Sequence, residues 1–365
     1  MKPYIPENLP LTNIRWEDHI PLIGKANAAL ARYDGILQSI VNPAVLLSPL
    51  TTQEAVLSSK IEGTQASLEE VLEFQADPSE KIAPEKAADI HEIINYRTAM
   101  FFAMEDLKNR PLCLNLVRDL HRILLESVRG KNKDPGEFRR VQNFIGPLGT
   151  TIEQATFVPP SPEKILPAMS NWEKYVHFEE KDGLIQLAII KAQFELIHPF
   201  LDGNGRIGRI LVPIFLYHKG LLSSPMFYLS FYLERNRPTY FERLNAISRD
   251  GDWNGWIGFF LKAVMEQAQE NGKKAKAILD LYNHMKQLVP EITRSQYAVK
   301  VIDSMFSQPI FLSTDFMKVS NIPRDSALRM LSALKEAKVI NSLREAKGRR
   351  ASLWVFPELL RITED

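Results

Sequence analysis

The chain has 365 residues, too many for one simple core, so two or three domains are expected. Its 45% apolar and 24% charged residues are those of an ordinary globular protein, and a net charge of +1 excludes a bulk attraction to nucleic acid or membrane. The single cysteine, Cys113, excludes an internal disulfide framework and a cysteine-rich metal site; with no apolar run of signal-peptide or membrane-span length, a reducing cytoplasmic setting without a membrane partner is expected.

Residues 1–50 begin proline-rich and turn helical around "LIGKANAALARYDGIL". Residues 51–76 read as helix, break at Gly63, helix. Thr51 or Thr52 is a candidate N-cap of the first helix, and Ser67 with Glu70 forms a candidate capping box for the second. Helical spacing continues over 85–128. Residues 130–162 are dense in Gly, Pro, Asn and Thr, and predict a loop carrying a β-hairpin: Val141 to Ile145, a turn over Gly146 to Thr150, and a return near Thr156 to Val158. A helix follows at 163–178, then the nearly all-apolar "GLIQLAIIKAQFELI" (183–197), which suits a buried central helix. "IGRILVPIFLYHKG" is another helix, which Pro213 should kink or deprive of a hydrogen bond. Helical pattern then runs to about Leu288, with Trp253 and Trp256 on one core-facing side. From 291 onward the order helix (295–306), short helix (313–320), helix (324–337), strand (Val339 to Leu343), turn, strand (Ser352 to Phe356) matches a winged helix-turn-helix.

"HPFLDGNGRIGR" (His198 to Arg209) carries the chemistry. It contains G-x-G-x-x-G, but the strand and later acid of a dinucleotide fold are missing: the next acid is Glu234. A P-loop fails for want of Lys-Ser/Thr after the second glycine. A mere helix–loop–helix bend explains Gly203 and Gly205, yet not the acid, asparagine and two arginines beside them. An anion site explains more. Gly203, Asn204 and Gly205 begin a helix whose free N–H groups and dipole attract phosphate. Arg206 and Arg209 share a face and can hold further phosphates. Asp202 is placed to bind a divalent metal, and His198 is a natural general base.

This stretch resembles the Fic family motif H-x-F-x-[DE]-G-N-G-R-x-x-R, matching all eight specified positions. The resemblance spans roughly residues 50–275. It implies a mainly α fold, helical apart from a hairpin flap ("GEFRRVQNFIG…ATFVPP"), and transfer of AMP from ATP, with Mg²⁺, to a hydroxyl of a target protein or of itself. His198 would then be the base, and the segment Gly203, Asn204, Gly205, Arg206, Ile207, Gly208, Arg209 the nucleotide-binding turn. Asp202 would hold the metal. "ERNRPTYFERL" (234–244) resembles a later nucleotide-contacting stretch, making Asn236 a nucleoside candidate. "SSKIEG" (58–63) matches the inhibitory motif [ST]-x-x-x-E-[GN] through Ser58, Glu62 and Gly63. Glu62 would pair with Arg209 and block productive ATP binding. Some members use this glutamate to remove AMP, so de-AMPylation is an alternative direction. Members can also form homodimers.

The expected domains are 1–84, a helical region with the inhibitory helix; 85–275, the catalytic core; and 276–365, a linker helix with the winged helix. Residues 286–365 hold 13 Lys/Arg against 9 Asp/Glu, a balance of +4. Arg344, Lys347, Arg349 and Arg350 cluster in the expected wing, where DNA phosphates would be met. A DNA-binding regulator whose core senses nucleotide is therefore the rival function. The intact base, His198, favours an enzyme. His91, His121 and His284 lack metal-ligand spacing.

Overall fold

The computed structural model describes residues 2–126, 132–147, 149–347 and 350–364. Helices dominate it: α1 (Trp16–Ser39), α2 (Pro43–Leu46), α3 (Ser48–Ile61), α4 (Leu68–Ala76), α5 (Pro84–Asp106), α6 (Leu114–Leu124), α7 (Pro162–Val176), α8 (Gly183–Ile197), α9 (Asn204–His218), α10 (Ser230–Arg235), α11 (Arg237–Asp250) and α12 (Trp253–Thr293). The C-terminal part runs α13 (Ala298–Ser307), β1 (Ile310–Leu312), α14 (Ser313–Ser320), α15 (Arg324–Glu336), β2 (Asn341–Arg344), β3 (Leu353–Val355) and α16 (Pro357–Glu364).

Helix α8 is the hub, as its apolar sequence requires, and is buried over nearly its whole length. Asp182 caps its start, accepting from the N–H groups of Leu184 (3.0 Å) and Ile185 (2.9 Å). Two tryptophans anchor neighbours to it. Trp172 of α7 donates to the Ile190 carbonyl (2.9 Å), and Trp256 of α12 donates to that of Ala188 (2.8 Å). Trp253 and Trp256 are both fully buried, in keeping with a core role. The 41-residue α12 packs along α1, touches α8 and α11, and continues without a break into contact with α13, α15 and α16.

Several local expectations change. Thr51 and Thr52 are not caps: α3 starts at Ser48, and both hydroxyls bond back to carbonyls four residues earlier, those of Leu47 and Ser48. The break at Gly63 stands, with φ of 107°, and Ser67 and Glu70 do form a reciprocal capping box. Helix α9 starts at Asn204 and runs through Pro213. Among the described residues, the expected hairpin narrows to a single antiparallel bridge, Ile145 with Phe157, with a short 3-10 turn (Ile152–Gln154) between them in sequence. Leu148, within the expected turn, lies outside the described residues.

The C-terminal order is compatible with a winged helix, with two elements the sequence pattern did not signal, β1 and α16. The sheet order is β1-β3-β2, antiparallel, pairing Ile310 and Asn341 with Val355. Two arginines flanking the basic turn between β2 and β3 already have partners within the chain. Arg344 and Arg350 ion-pair with Asp77 and Glu80, just beyond α4. Arg349 lies outside the described residues. Two carboxylates offered side by side at a helix end account for this pairing. No helix is long and apolar enough to cross a membrane among the described residues.

Burial alone would raise the Asp77 carboxyl, but hydrogen bonds from Ser79, Arg344 and Arg350 outweigh it and bring it down to about 2. The folded state thus prefers the ionised acid. Its contribution is complete above about pH 4 and is lost as pH falls through about 2. Asp77→Asn should cost about 1 kcal/mol at neutral pH. Thermal melting from pH 6 to pH 2 checks this: the variant should lose less stability than wild type over the acid range.

Candidate functional site

The site begins where α8 stops. His198 takes the left-handed conformation (φ 49°, ψ 60°), and Pro199 forbids another helical turn. The ring of His198 is half-buried, and loss of hydration lowers its pKa. Its Nδ1 lies 3.3 Å from the Glu195 carbonyl. A carbonyl only accepts, so this contact favours the tautomer with the proton on Nδ1 and a lone pair on Nε2.

Four side chains hold the loop that follows. Asn204 spends its whole amide on Phe200: Oδ1 accepts from the Phe200 N–H and Nδ2 donates to its carbonyl, both at 2.9 Å. Phe200 is fully buried and stacks on His121, ring centroids 3.7 Å apart. His121 Nδ1 accepts from the Gly136 N–H (2.8 Å), so its Nε2 donates to the Asp202 carbonyl (3.0 Å). Burial lowers its pKa to about 4, which keeps it neutral. Arg139, from the 130–162 segment, donates to the carbonyls of His198 (2.9 Å), Val141 (3.1 Å) and Pro160 (2.5 Å). Its own N–H bonds the Pro199 carbonyl at 2.9 Å. Nothing in the pattern marked Arg139 or His121: each binds backbone far away in sequence, and such partners leave no motif.

Gly203 (φ 76°) starts α9 and gives its N–H to Asp202 Oδ1 (2.6 Å). The N–H groups of Asn204, Gly205 and Arg206 are the first three of the helix and have no intrahelical acceptor. Arg206 is buried and reaches Glu92 of α5 (3.0 Å) and Asp202 (3.3 Å). Glu92 had no sequence signal. Among the described residues, no cluster of three or more His, Cys, Asp or Glu could hold a metal unaided. A Mg²⁺ that arrives on phosphate oxygens needs only one or two carboxylates. Asp202, 47% exposed at the helix start, fits that requirement.

The second arginine is engaged by the end of α3. Arg209, 1% exposed, donates through Nε to Ser58 Oγ (2.7 Å) and through one terminal nitrogen to the Ser58 carbonyl (3.0 Å) and Glu62 Oε1 (2.5 Å). Burial would strip its charge, but Glu62 beside it more than offsets that and holds the pKa up. A Cβ at Gly205 would collide with Glu62 Oε1, so glycine there makes room for the carboxylate. Gly208 does more than continue the helix. A Cβ there would meet Glu195 at 2.6 Å, where Glu195 pairs with the buried Lys191.

The end of α3 has further supports. Lys60 pairs with Glu234 (3.0 Å), and Arg237 donates to the Ile61 carbonyl (2.9 Å). Stretch 234–244 therefore grips the end of α3. Asn236, between α10 and α11, bonds the Tyr232 carbonyl (2.9 Å). One turn before Ser58, buried Glu54 accepts from the Ser230 N–H (3.0 Å) and hydroxyl (2.6 Å), and burial raises its pKa to about 7. A pocket of about 250 Å³ opens between the Ile145–Phe157 bridge, Glu195 of α8, and Phe241 and Asn245 of α11.

Comparison with known proteins gives the family and the fold. Residues 20–105 match the Fic/DOC family N-terminal model, and residues 111–216 the Fic/DOC family model. "Protein adenylyltransferase Fic" of Drosophila grimshawi is 33% identical over 144 residues, 37% of this chain and 27% of that protein. A "Probable protein adenylyltransferase" of Aquifex aeolicus (strain VF5) is 26% identical over 199 residues, 54% of this chain and 55% of its own length. The chain thus spans between about a quarter and a little over half of these curated relatives. The crystal structure of a Fic family protein from Desulfovibrio desulfuricans G20 shares the fold at 18% identity and a TM-score of 0.55, covering 97% of this chain and 98% of that one. A Fic-1 fragment from C. elegans gives a TM-score of 0.54 over 73% of this chain and 74% of its own.

Arg139→Met should remove the clamp and leave three carbonyls without their donor, at a cost of about 2–4 kcal/mol. Arg139→Lys should recover little, because one ammonium cannot reproduce the planar fork. Denaturant unfolding of both variants decides: a loss below about 0.5 kcal/mol in Arg139→Met would remove this role.

Proposed function

Because the chain belongs to the Fic/DOC family, we propose that it is a protein adenylyltransferase that moves AMP from ATP to a Ser, Thr or Tyr hydroxyl and is restrained by its own Glu62. The observation that carries this reading is the juxtaposition of His198, ending α8, with the unpaired N–H groups that start α9. In this reading the N–H groups of Asn204, Gly205 and Arg206 receive the α-phosphate, while Arg206 and Arg209 serve the outer phosphates. His198 Nε2 takes the hydroxyl proton. The hydroxyl oxygen bonds to the α-phosphorus, the bond to the β-phosphate bridging oxygen breaks, and pyrophosphate leaves. Positioning and charge stabilisation supply most of the rate. Magnesium, when held on Asp202, would neutralise phosphate charge. Ile207 and Gly208 serve as packing within the nucleotide-binding turn, and Asn236 shapes the end of α10 beside it.

Ser58 and Glu62 take Nε and one terminal nitrogen of Arg209, donors a phosphate would have to win back, which supports the inhibitory role of residues 58–63. The rival DNA-binding reading is weaker on geometry: Arg344 and Arg350 already hold carboxylates of the same chain.

Glu62→Gly should raise self-modification with labelled ATP and Mg²⁺ about tenfold or more. An unmodified Glu62→Gly protein would sink the inhibitory assignment. His198→Ala in the Glu62→Gly background should lose about 10²–10⁴-fold. The lowered pKa of His198 keeps the base neutral to lower pH than a free imidazole. The acid limb of the pH–rate profile should therefore fall below about 6.5.

A further inference from the structure

Away from this site, a cavity of about 370 Å³ lies between α4, α5 and the approach to β1. Its size suits a small molecule. Its lining is mixed: Leu72, Phe74, Ile94 and Ile310 give one apolar side, and Arg97, Gln75, Ser307 and Gln308 are its polar groups. Arg97 of α5 donates to Gln75 Oε1 (3.2 Å) and Ser48 Oγ (2.8 Å), and its guanidinium stands 5.3 Å from the Phe101 ring. All three partners are uncharged. Its Nε is shielded from solvent and has no hydrogen-bond partner. Among the described residues, Arg97 forms no ion pair, unlike Arg206 and Arg209. Burial lowers its pKa, the cost of a desolvated cation without counter-charge. Ser48 is also the first residue of α3, so this cation sits at the positive end of a helix, which adds to the demand for an anion.

We propose that this cavity binds a small amphipathic carboxylate, its charged end on Arg97 and its apolar body against Leu72, Phe74, Ile94 and Ile310. A bare inorganic anion would satisfy the guanidinium but leave the walls unfilled. A neutral alcohol would fill the walls but leave the cation unpaired. The occupant would share Arg97 with Ser48, at the start of the helix that ends beside Glu62. Binding here is independent of whether the chain transfers AMP.

Isothermal titration of the full chain with hexanoate, hexanol and inorganic phosphate tests the site. Hexanoate should bind saturably, and the other two at least about tenfold more weakly. Arg97→Met should abolish hexanoate binding. Gln308→Trp, at the exposed rim, should also block it with Arg97 and the core intact, as melting curves would verify. No saturable hexanoate binding, equal binding of all three probes, or hexanoate binding retained in either variant overturns the proposal.

Discussion

A buried guanidinium is costly unless its donors are met, and much of the site follows from how Arg209 obtains a counter-charge. Glu62 supplies it from the end of α3, with Ser58 accepting beside it, so α3 has to cross the start of α9. Gly205 must lack a side chain, and Gly63 must take a positive φ to turn the chain away directly afterwards. Lys60 and Arg237 then tie the helix end to the α10–α11 corner. Any phosphate approaching Arg209 competes with a carboxylate already in place. Breaking such a pair without a replacement is costly, because the remaining charge is stranded.

The loop between α8 and α9 is held in another way. Its backbone groups are satisfied by side chains that commit their own hydrogen-bonding capacity to it. These are the amide of Asn204, both nitrogens of His121 and the fork of Arg139. That leaves the loop few ways to rearrange. His198 is thereby held in a conformation that a non-glycine residue seldom adopts unaided.

Features written in contiguous residues were legible. The apolar run of α8 gave its length, Ser67 and Glu70 gave a cap, Gly63 gave a break, and the glycines after His198 gave the turn into α9. Features that depend on distant partners were not. Glu92, His121, Arg139 and Glu54 look like ordinary helix or loop residues until folding brings up the groups they bind. Thr51 and Thr52 have the chemistry of caps, but α2 and Pro49 set the helix start earlier. The basic turn near Arg344 has the composition of a nucleic-acid contact, and composition cannot tell an external anion from an internal one. The β1 strand is three residues long, too short to show an alternation.

Helix α12 joins the two ends of the molecule as a single unbroken rod of 41 residues. At 1.5 Å per residue it is about 60 Å long. A rod of that length is a lever: a tilt of about one degree where it packs on α8 displaces its far end by about 1 Å. Hydrogen bonds tolerate only a few tenths of an ångström before they weaken. The packing of Trp253 and Trp256 against the core therefore also bears on where α13, α15 and α16 sit along the far part of the rod.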